Sequence, residues 1–241
     1  MEKDLLFLSR IRIESLVMEM GEHMKYCVIT LDLVNSRQLP DREKVQKKFK
    51  EVLKLINQKY AGVIKVPFDF TLGDEVQGVL ASLKDSYPLI RDFQRIFQTY
   101  PFYAGVGYGE ILTRLSGRSG EMDGPAFHLA RASIERLKEG YIRSHGRFVP
   151  LVRYTFQSPE LTSIVNNYIQ MVELLKFKLT DKQREVYWLL FETGTYREIA
   201  ERLKQSKSAI TQKIQAGYVE EIRAGEDGLI QLLEWIERKE M

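Results

Sequence analysis

The spacing of apolar residues along the chain predicts two regions of different structural class. Between residues 24 and 157, short continuous apolar runs alternate with stretches in which apolar residues recur every three or four positions. Continuous runs of this length are typical of buried strands, and the three-to-four spacing is typical of amphipathic helices. From residue 158 onward only the helical spacing continues. We therefore predict an α+β fold, in which a sheet domain precedes an all-α domain.

In the first region the pattern predicts the order strand, helix, strand, strand, helix, strand, helix, strand. This order resembles the split βαβ sheet of ferredoxin-like folds, with the helices on one face of the sheet. The predicted strands are residues 26–33, 63–71, 76–82, 102–111 and 147–156, and the predicted helices are residues 41–60, 87–99 and 126–138.

The start of the chain carries apolar side chains among charged ones, as in an amphipathic helix that packs on a neighbour or a dimer partner. A natural start of synthesis at Met24 is the alternative. The predicted division is therefore an N-terminal helical extension at residues 1–23, a sheet domain at 24–157 and a helical domain at 158–241.

Polar residues that can cap helices mark the helix starts of the second region. Ser158 precedes a proline, while Thr180 and Thr195 each stand three residues before a glutamine or a glutamate, which is the pattern of a capping box. Ser206 can cap a further helix. Three closely spaced helices joined by short turns predict a helix-turn-helix at about residues 180–217.

Composition narrows the class of protein. With 241 residues and 44% hydrophobic residues the chain can form a packed core, and no apolar run is long enough to span a bilayer. Its single cysteine, Cys27, lies in an apolar run and favours a reducing, cytoplasmic setting. The net charge of +3 includes no basic tail, since residues 158–241 hold 12 Lys and Arg against 14 Asp and Glu.

Two aspartates are the candidate metal ligands. Asp32 ends the first predicted strand, and Asp74 lies in the predicted hairpin turn after Gly73. If the two strands are neighbours, both carboxylates and the Leu33 carbonyl could share a magnesium ion, which prefers oxygen ligands. The alternative is structural, because Gly-Asp is a favoured turn pair whatever the function.

The same end of the sheet could hold a phosphate or another anion. The backbone amides of Val34, Asn35 and Ser36 could turn towards it, with Gly73 alongside. Arg131, on the third predicted helix, could neutralise its charge. For Arg131 the alternative is a surface ion pair with Glu135, one helical turn away.

Glycine occupies every second position of the fourth predicted strand, at Gly105, Gly107 and Gly109. Alternate residues share one face of a strand, so that face is bare and lets another backbone, a ring or a phosphate approach closely. Tight packing of a helix on the sheet is the structural alternative.

Four motifs carry a resemblance to a known family, in the right order. They are Asp32-Leu33-Val34-Asn35-Ser36-Arg37, Thr71-Leu72-Gly73-Asp74-Glu75-Val76-Gln77-Gly78, Gly105-Val106-Gly107-Tyr108-Gly109-Glu110-Ile111 and Asp123-Gly124-Pro125-Ala126, with Ala130-Arg131 behind the last. Together they resemble the SatD family of bacterial proteins, from Met24 nearly to the end of the chain.

More distantly, the first region resembles the catalytic domain of class III nucleotidyl cyclases. Asp32 and Asp74 fall on the positions of the two metal-binding aspartates of those enzymes. The other catalytic positions differ, because Phe70 stands where the resemblance implies a purine-binding lysine, and His128 and Ala132 stand where it implies an asparagine and an arginine. Losing a charge that stabilises a transition state costs on the order of a hundredfold in rate. The resemblance therefore implies a cyclase-like fold that binds a nucleotide or metal with little or no cyclase activity. A plain surface or core histidine is the alternative for His128.

The second region resembles the helix-turn-helix of sigma-factor region 4 and of LuxR-type regulators, in which the later helix enters the major groove of DNA. The side chains expected to reach base edges are Lys207, Ser208, Thr211, Gln212 and Gln215, and those expected to contact phosphates are Arg197, Arg202, Lys204 and Lys213. A three-helix bundle that contacts only protein is the alternative.

These patterns lead to one functional hypothesis and two alternatives. We expect a cytoplasmic, homodimeric DNA-binding regulator whose cyclase-like domain binds a magnesium-nucleotide or a related anion. The first alternative is a nucleotide-processing enzyme that uses its helical domain for assembly, and the second is a sheet domain that serves only to dimerise. Leu229, Leu232, Leu233 and Trp235 could form a final docking or dimerisation helix.

Overall fold

The computed structural model describes residues 24–36, 41–71, 74–98, 100–143 and 148–240. The predicted N-terminal helix at residues 1–23 and the predicted ligand-binding Gly73 lie outside these ranges. No helix of the described part is long and apolar enough to cross a membrane.

The first region forms a five-stranded sheet with the strand order β2-β3-β1-β4-β5. All neighbouring strands are antiparallel except β4 and β5, which are parallel. The order of elements matches the prediction, and the α+β class is confirmed. In chain order the elements are β1 (Lys25–Leu33), α1 (Arg42–Lys59), β2 (Ile64–Phe70), β3 (Glu75–Leu80), α2 (Ser86–Ile96), β4 (Phe102–Glu110), α3 (Pro125–Arg143) and β5 (Val152–Thr155).

The two faces of the sheet are covered by different helices. Alternate residues of β1, such as Ile29 and Leu31, pack into the core formed with α1 and α2. Val28, which points to the other face of the strand, packs with Ala126 and Ala130 of α3. The expectation that the helices lie on one face is therefore wrong for α3, which covers the opposite face.

The glycine-rich face of β4 is filled by the backbone of α3. A Cβ atom at Gly105 would lie 2.6 Å from the Ala130 carbonyl oxygen, and one at Gly107 would lie 2.1 Å from the Ala126 carbonyl oxygen. Both distances are far below van der Waals contact. The glycines of β4 therefore allow α3 to pack closely on the sheet, which is the structural alternative given for this strand.

The second region is helical, and its helix starts are where the capping residues predict them. The side chains of Ser158, Thr180, Thr195 and Ser206 each accept a hydrogen bond from a backbone N–H of the following first turn. The helices are α4 (Pro159–Lys178), α5 (Asp181–Thr193), α6 (Tyr196–Leu203), α7 (Lys207–Ala216) and α8 (Val219–Glu240).

The first and last of these helices complete the core of the sheet domain. Val165 and Ile169 of α4, with Leu229 and Leu233 of α8, are buried in the same cluster as β1, α1 and α2. The middle helices α5 to α7 form a second core, to which Val172 of α4 and Ile222 of α8 also contribute. The predicted boundary at residue 158 therefore does not divide the hydrophobic core, and the division into domains stays a prediction.

Candidate functional site

Asp74, at the turn between β2 and β3, is buried and held by side chains from the α1 side of the sheet. Gln46 Nε2 donates to its Oδ1 at 2.7 Å, and Arg42 Nη2 donates to its Oδ2 at 2.9 Å. Burial alone would raise the pKa of Asp74, but hydrogen bonds from Gln46, Arg42 and Ser36 and the charge of Arg42 outweigh it. The pKa is lowered, so Asp74 is ionised and already satisfied by protein donors.

Asp32, at the end of β1, faces the opposite side of the sheet. It forms an ion pair with Lys138 of α3. In the register of β1 and β3 its partner is Glu75, not Asp74. Because directly opposed residues of antiparallel strands share a face, Glu75 lies on the Asp32 face and Asp74 does not.

This arrangement does not fit a magnesium ion shared by Asp32 and Asp74. Each carboxylate already has a basic partner, Lys138 or Arg42, and the two partners lie on opposite faces. Among the described residues, no group of three or more His, Cys, Asp or Glu side chains could hold a metal ion. The magnesium and nucleotide predictions therefore rest on the sequence pattern and stay predictions.

The turn after β1 has part of the geometry expected of an anion site. Leu33 and Val34 are buried, and the Val34 N–H donates to the Pro101 carbonyl at 3.0 Å. Asn35 is in the left-handed region with φ of 52°, and Ser36 is directed to Asp74. One of the three predicted amides is thus committed to the protein backbone.

Arg131 lies on the α3 face, at a polar hollow of about 350 Å³ under the hairpin. Glu75 and Gln77 of β3 line the same hollow, together with His128. His128 is exposed, with its Nε2 3.2 Å from an oxygen of Asp123, so it is a surface histidine. In the described part of the chain, no ion pair joins Arg131 to Glu135, the alternative that the sequence left open. The structure brings Arg131 to the hairpin but on the side away from Asp74.

The positions where cyclases carry other catalytic residues have structural roles here. Phe70 packs edge-on against Phe49, with ring centroids 5.6 Å apart. Ala132 is half-buried on α3. Neither can supply the charge that the cyclase positions require.

The residues of the predicted helix-turn-helix form α5, α6 and α7. Ile199 and Ala200 of α6 pack with Ile210 and Ile214 of α7 in the core of this unit. The turn is closed by the Gln205 N–H, which donates to the Ala200 carbonyl at 2.9 Å. Lys204 in this turn has a φ of 52°, a left-handed conformation that is costly for a residue with a side chain.

Several of the predicted DNA-binding residues point to solvent from α7. Lys207, Ser208, Gln212 and Gln215 are exposed, and Lys204 is exposed in the preceding turn. Ser208, Gln212 and Gln215 lie on the face of α7 opposite its buried isoleucines. The helix therefore presents uncharged hydrogen-bonding side chains in its middle and lysines at its start.

Other predicted DNA-binding residues already have partners within the chain. The Thr211 hydroxyl donates to the Lys207 carbonyl at 3.0 Å, and Lys213 Nζ donates to Gln205 at 2.6 Å. Arg197 pairs with the neighbouring Glu201 at 3.0 Å. The further candidate for a phosphate contact is Arg202, which pairs with Glu192 at 2.8 Å.

A buried polar cluster joins the helix-turn-helix to the sheet domain. We call it the junction cluster, and its centre is Glu226 of α8, which has no exposed surface. Its carboxylate accepts hydrogen bonds from Tyr187 of α5 at 2.6 Å and from Arg91 of α2 at 3.2 Å. The members of the junction cluster are Tyr87, Arg91, Glu173, Lys176, Tyr187 and Glu226.

The model of the SatD family matches residues 26–222, which is more than half of the chain. The chain belongs to the SatD family. The match covers both the sheet domain and the helix-turn-helix of this family member. No curated protein matches it.

Solved structures similar to this SatD family member include two of bacterial light-regulated adenylyl cyclases. One is 15% identical over 54% of this chain and 75% of the cyclase chain, with a TM-score of 0.38. The other is 15% identical over 64% and 55%, with a TM-score of 0.36. A regulator of polyketide synthase expression from Bifidobacterium adolescentis is 13% identical over 95% and 87%, with a TM-score of 0.25. Likeness this distant says nothing about the activity of this chain.

Sequence reasoning missed the partners of the key carboxylates in this SatD family chain. For Lys138 and Arg42 no local signal exists, because each reaches a residue far away in sequence. The junction cluster did leave a signal. Lys176 and Glu226 each occupy a position of an otherwise apolar helical stripe, and a charge at such a position indicates a buried pair.

Proposed function

We propose that this chain is a cytoplasmic transcriptional regulator that binds DNA through α7 and senses an anionic ligand through its cyclase-like domain. The observation that carries the proposal is the packing of α7 against α6, which leaves one face of α7 exposed. Ile210 and Ile214 fix one face of α7 inward, and Ser208, Gln212 and Gln215 project from the other. A helix held in this way is the form in which a helix-turn-helix enters the major groove.

The chemistry of the exposed face supports base reading. Glutamine amides can pair with adenine, and serine can pair with several bases. Lys204 supports a phosphate contact, because a left-handed conformation is costly for lysine and a glycine there would avoid the cost. Residues 197–213 hold five basic against two acidic side chains, so the local charge favours a polyanion.

The DNA test compares two kinds of variant on sequences selected from a random DNA pool. Thr211→Ala combined with Gln212→Ala should relax sequence preference, because each lost base contact removes about 1–3 kcal/mol of discrimination. Lys204→Ala should weaken binding to all sequences. It should also reduce the slope of log binding constant against log salt concentration by about one, because one phosphate contact is lost. The matched control is Lys54→Ala, an exposed lysine of α1. Equal binding and preference in all variants would contradict the proposal.

The observation that supports the ligand-sensing part is the hollow at Arg131. Arg131 lines this hollow together with Gln77 and His128, and the carboxylates of Glu75 and Asp123 line it as well. An anion placed there would meet one guanidinium and hydrogen-bond donors beside two carboxylates. Magnesium-ATP and magnesium-GTP are the first ligands to titrate. Arg131→Ala should abolish binding, whereas Arg136→Ala, an exposed arginine on the same helix, should not.

Product analysis after incubation with ATP or GTP and magnesium or manganese separates a sensor from an enzyme. A sensor should return the nucleotide unchanged. Formation of a cyclic nucleotide or of a diphosphate would favour the alternative, a nucleotide-processing enzyme.

A further inference from the structure

The outward face of α4 and the neighbouring Trp235 of α8 expose large apolar side chains to solvent. We call this surface the α4 seam. Its members, with their exposed fractions, are Ile164 (55%), Met171 (69%), Leu174 (39%), Leu175 (39%) and Trp235 (48%).

The spacing along α4 is that of a helix with two apolar sides. One side, with Val165, Ile169 and Val172, is buried in the protein core. On the other side, apolar residues recur at alternating intervals of three and four residues, as they do in helices that pair with one another. These residues are Leu161, Ile164, Tyr168, Met171 and Leu175.

The part of the α4 seam between Leu161 and Val172 lacks charged side chains, whereas Glu173 and Lys176 flank Leu174 and Leu175, and Glu234 precedes Trp235. Residues 161–172 contain no charged side chain, although 29% of the whole chain is charged. Depletion of charge with enrichment of methionine and aromatic residues is typical of protein interfaces. A face without charge can also pair with its own copy, because no like charges are brought together.

Close packing of α8 on α4 extends the α4 seam to Trp235. A Cβ atom at Gly228 would lie 2.5 Å from the Tyr168 hydroxyl, and one at Gly225 would lie 3.1 Å from Val172. The two helices therefore run antiparallel. Trp235 stands seven residues after Gly228, and Leu161 stands seven residues before Tyr168, so helical periodicity places Trp235 at the Leu161 end of α4.

The exposed area matches what a dimer of this chain requires. If the area of about 200 Å² that is typical of an aromatic side chain is taken as an upper value for each member, the exposed fractions leave at most about 500 Å² of apolar surface. A standard interface buries about 800 Å² per partner, and about 65% of a homodimer interface is apolar. At this upper value the α4 seam supplies nearly all of that apolar part.

We propose that the α4 seam is the interface between two copies of this chain. The two-fold arrangement would hold two helix-turn-helix units in one particle, which suits a DNA site made of two half-sites. The interface itself does not depend on DNA binding.

The test is the mass of the full chain in solution, measured by light scattering after gel filtration. The wild-type chain should have twice the mass of one chain at micromolar concentration. Met171→Glu and, separately, Ile164→Glu should halve that mass, while Met171→Leu keeps the dimer. Leu112→Glu is the matched control, because Leu112 is 73% exposed and belongs to the loop between β4 and α3, where its N–H donates to the Asp123 carbonyl.

A monomeric wild-type chain would overturn the proposal, whether residues 1–23 or another protein covers the seam. So would a dimer that survives both glutamate substitutions while circular dichroism shows a folded chain. Failure of the DNA proposal is a separate outcome, because it would appear as lost DNA binding with the mass unchanged.

Discussion

Replacing Glu226 with glutamine should destabilise the chain more than any surface substitution, because Glu226 is the centre of the junction cluster. Its carboxylate is completely buried and contacts helices from both regions. Tyr187 donates to it at 2.6 Å, Arg91 at 3.2 Å, and Lys176 Nζ lies 3.3 Å away.

The magnitude follows from which partners lose a charge. The glutamine oxygen can still accept from Tyr187, and Lys176 keeps Glu173 at 2.9 Å. Arg91, only 15% exposed, loses its carboxylate and keeps the Phe191 ring at 4.2 Å. Removing one partner of a buried ion pair costs about 3–5 kcal/mol, so we expect a loss near 3 kcal/mol, at the lower end of that range.

Urea unfolding followed by circular dichroism measures this loss. We expect one cooperative transition, because α4 and α8 share the core of the sheet domain. The midpoint should fall with an unchanged slope, which indicates lost stability without a change in the surface exposed. Glu201→Gln, which removes the exposed partner of Arg197, is the control and should not shift the midpoint measurably. A Glu226→Gln chain within about 0.5 kcal/mol of wild type would refute the reasoning.

Three further predictions concern single residues. Lys204→Gly should raise the free energy of unfolding by about 1 kcal/mol, measured by urea unfolding, because glycine adopts the left-handed conformation without strain. Asp74 has a folded-state pKa below its ordinary value of about 3.9. Its stabilisation is therefore full above that value and lost as the pH falls through the folded-state pKa, so below about pH 4 wild type should lose more stability than Asp74→Asn in acid titration. Cys27 has no exposed surface and burial raises its thiol pKa, so a thiol reagent should label it only after unfolding.

Most of the fold could be predicted because its signals are local. Helix starts depend on side chains that bind backbone within the same turn, as Thr180 and Ser206 do, and these signals are complete within four residues. The order of strands and helices follows from periodicity in the same way. The position of α3 was harder to predict from the sequence, because the glycines of β4 show only that some group packs closely against them. Which element approaches is decided by tertiary contacts such as those of Gly107 with Ala126.

The candidate site shows that two strands can be predicted correctly while the site between them is not. Asp32 and Asp74 do lie at the same end of neighbouring strands, as the hairpin pattern predicts. Their faces depend on the register, and a shift of one residue moves a side chain to the other face of a sheet. Here Asp32 is opposite Glu75, so Asp74 is one residue out of phase and reaches Arg42 of α1, while Asp32 reaches Lys138 of α3. A ligand that bound both aspartates would have to displace two basic side chains on opposite faces. A ligand in the hollow at Arg131 would displace neither, because neither Arg42 nor Lys138 lines that hollow.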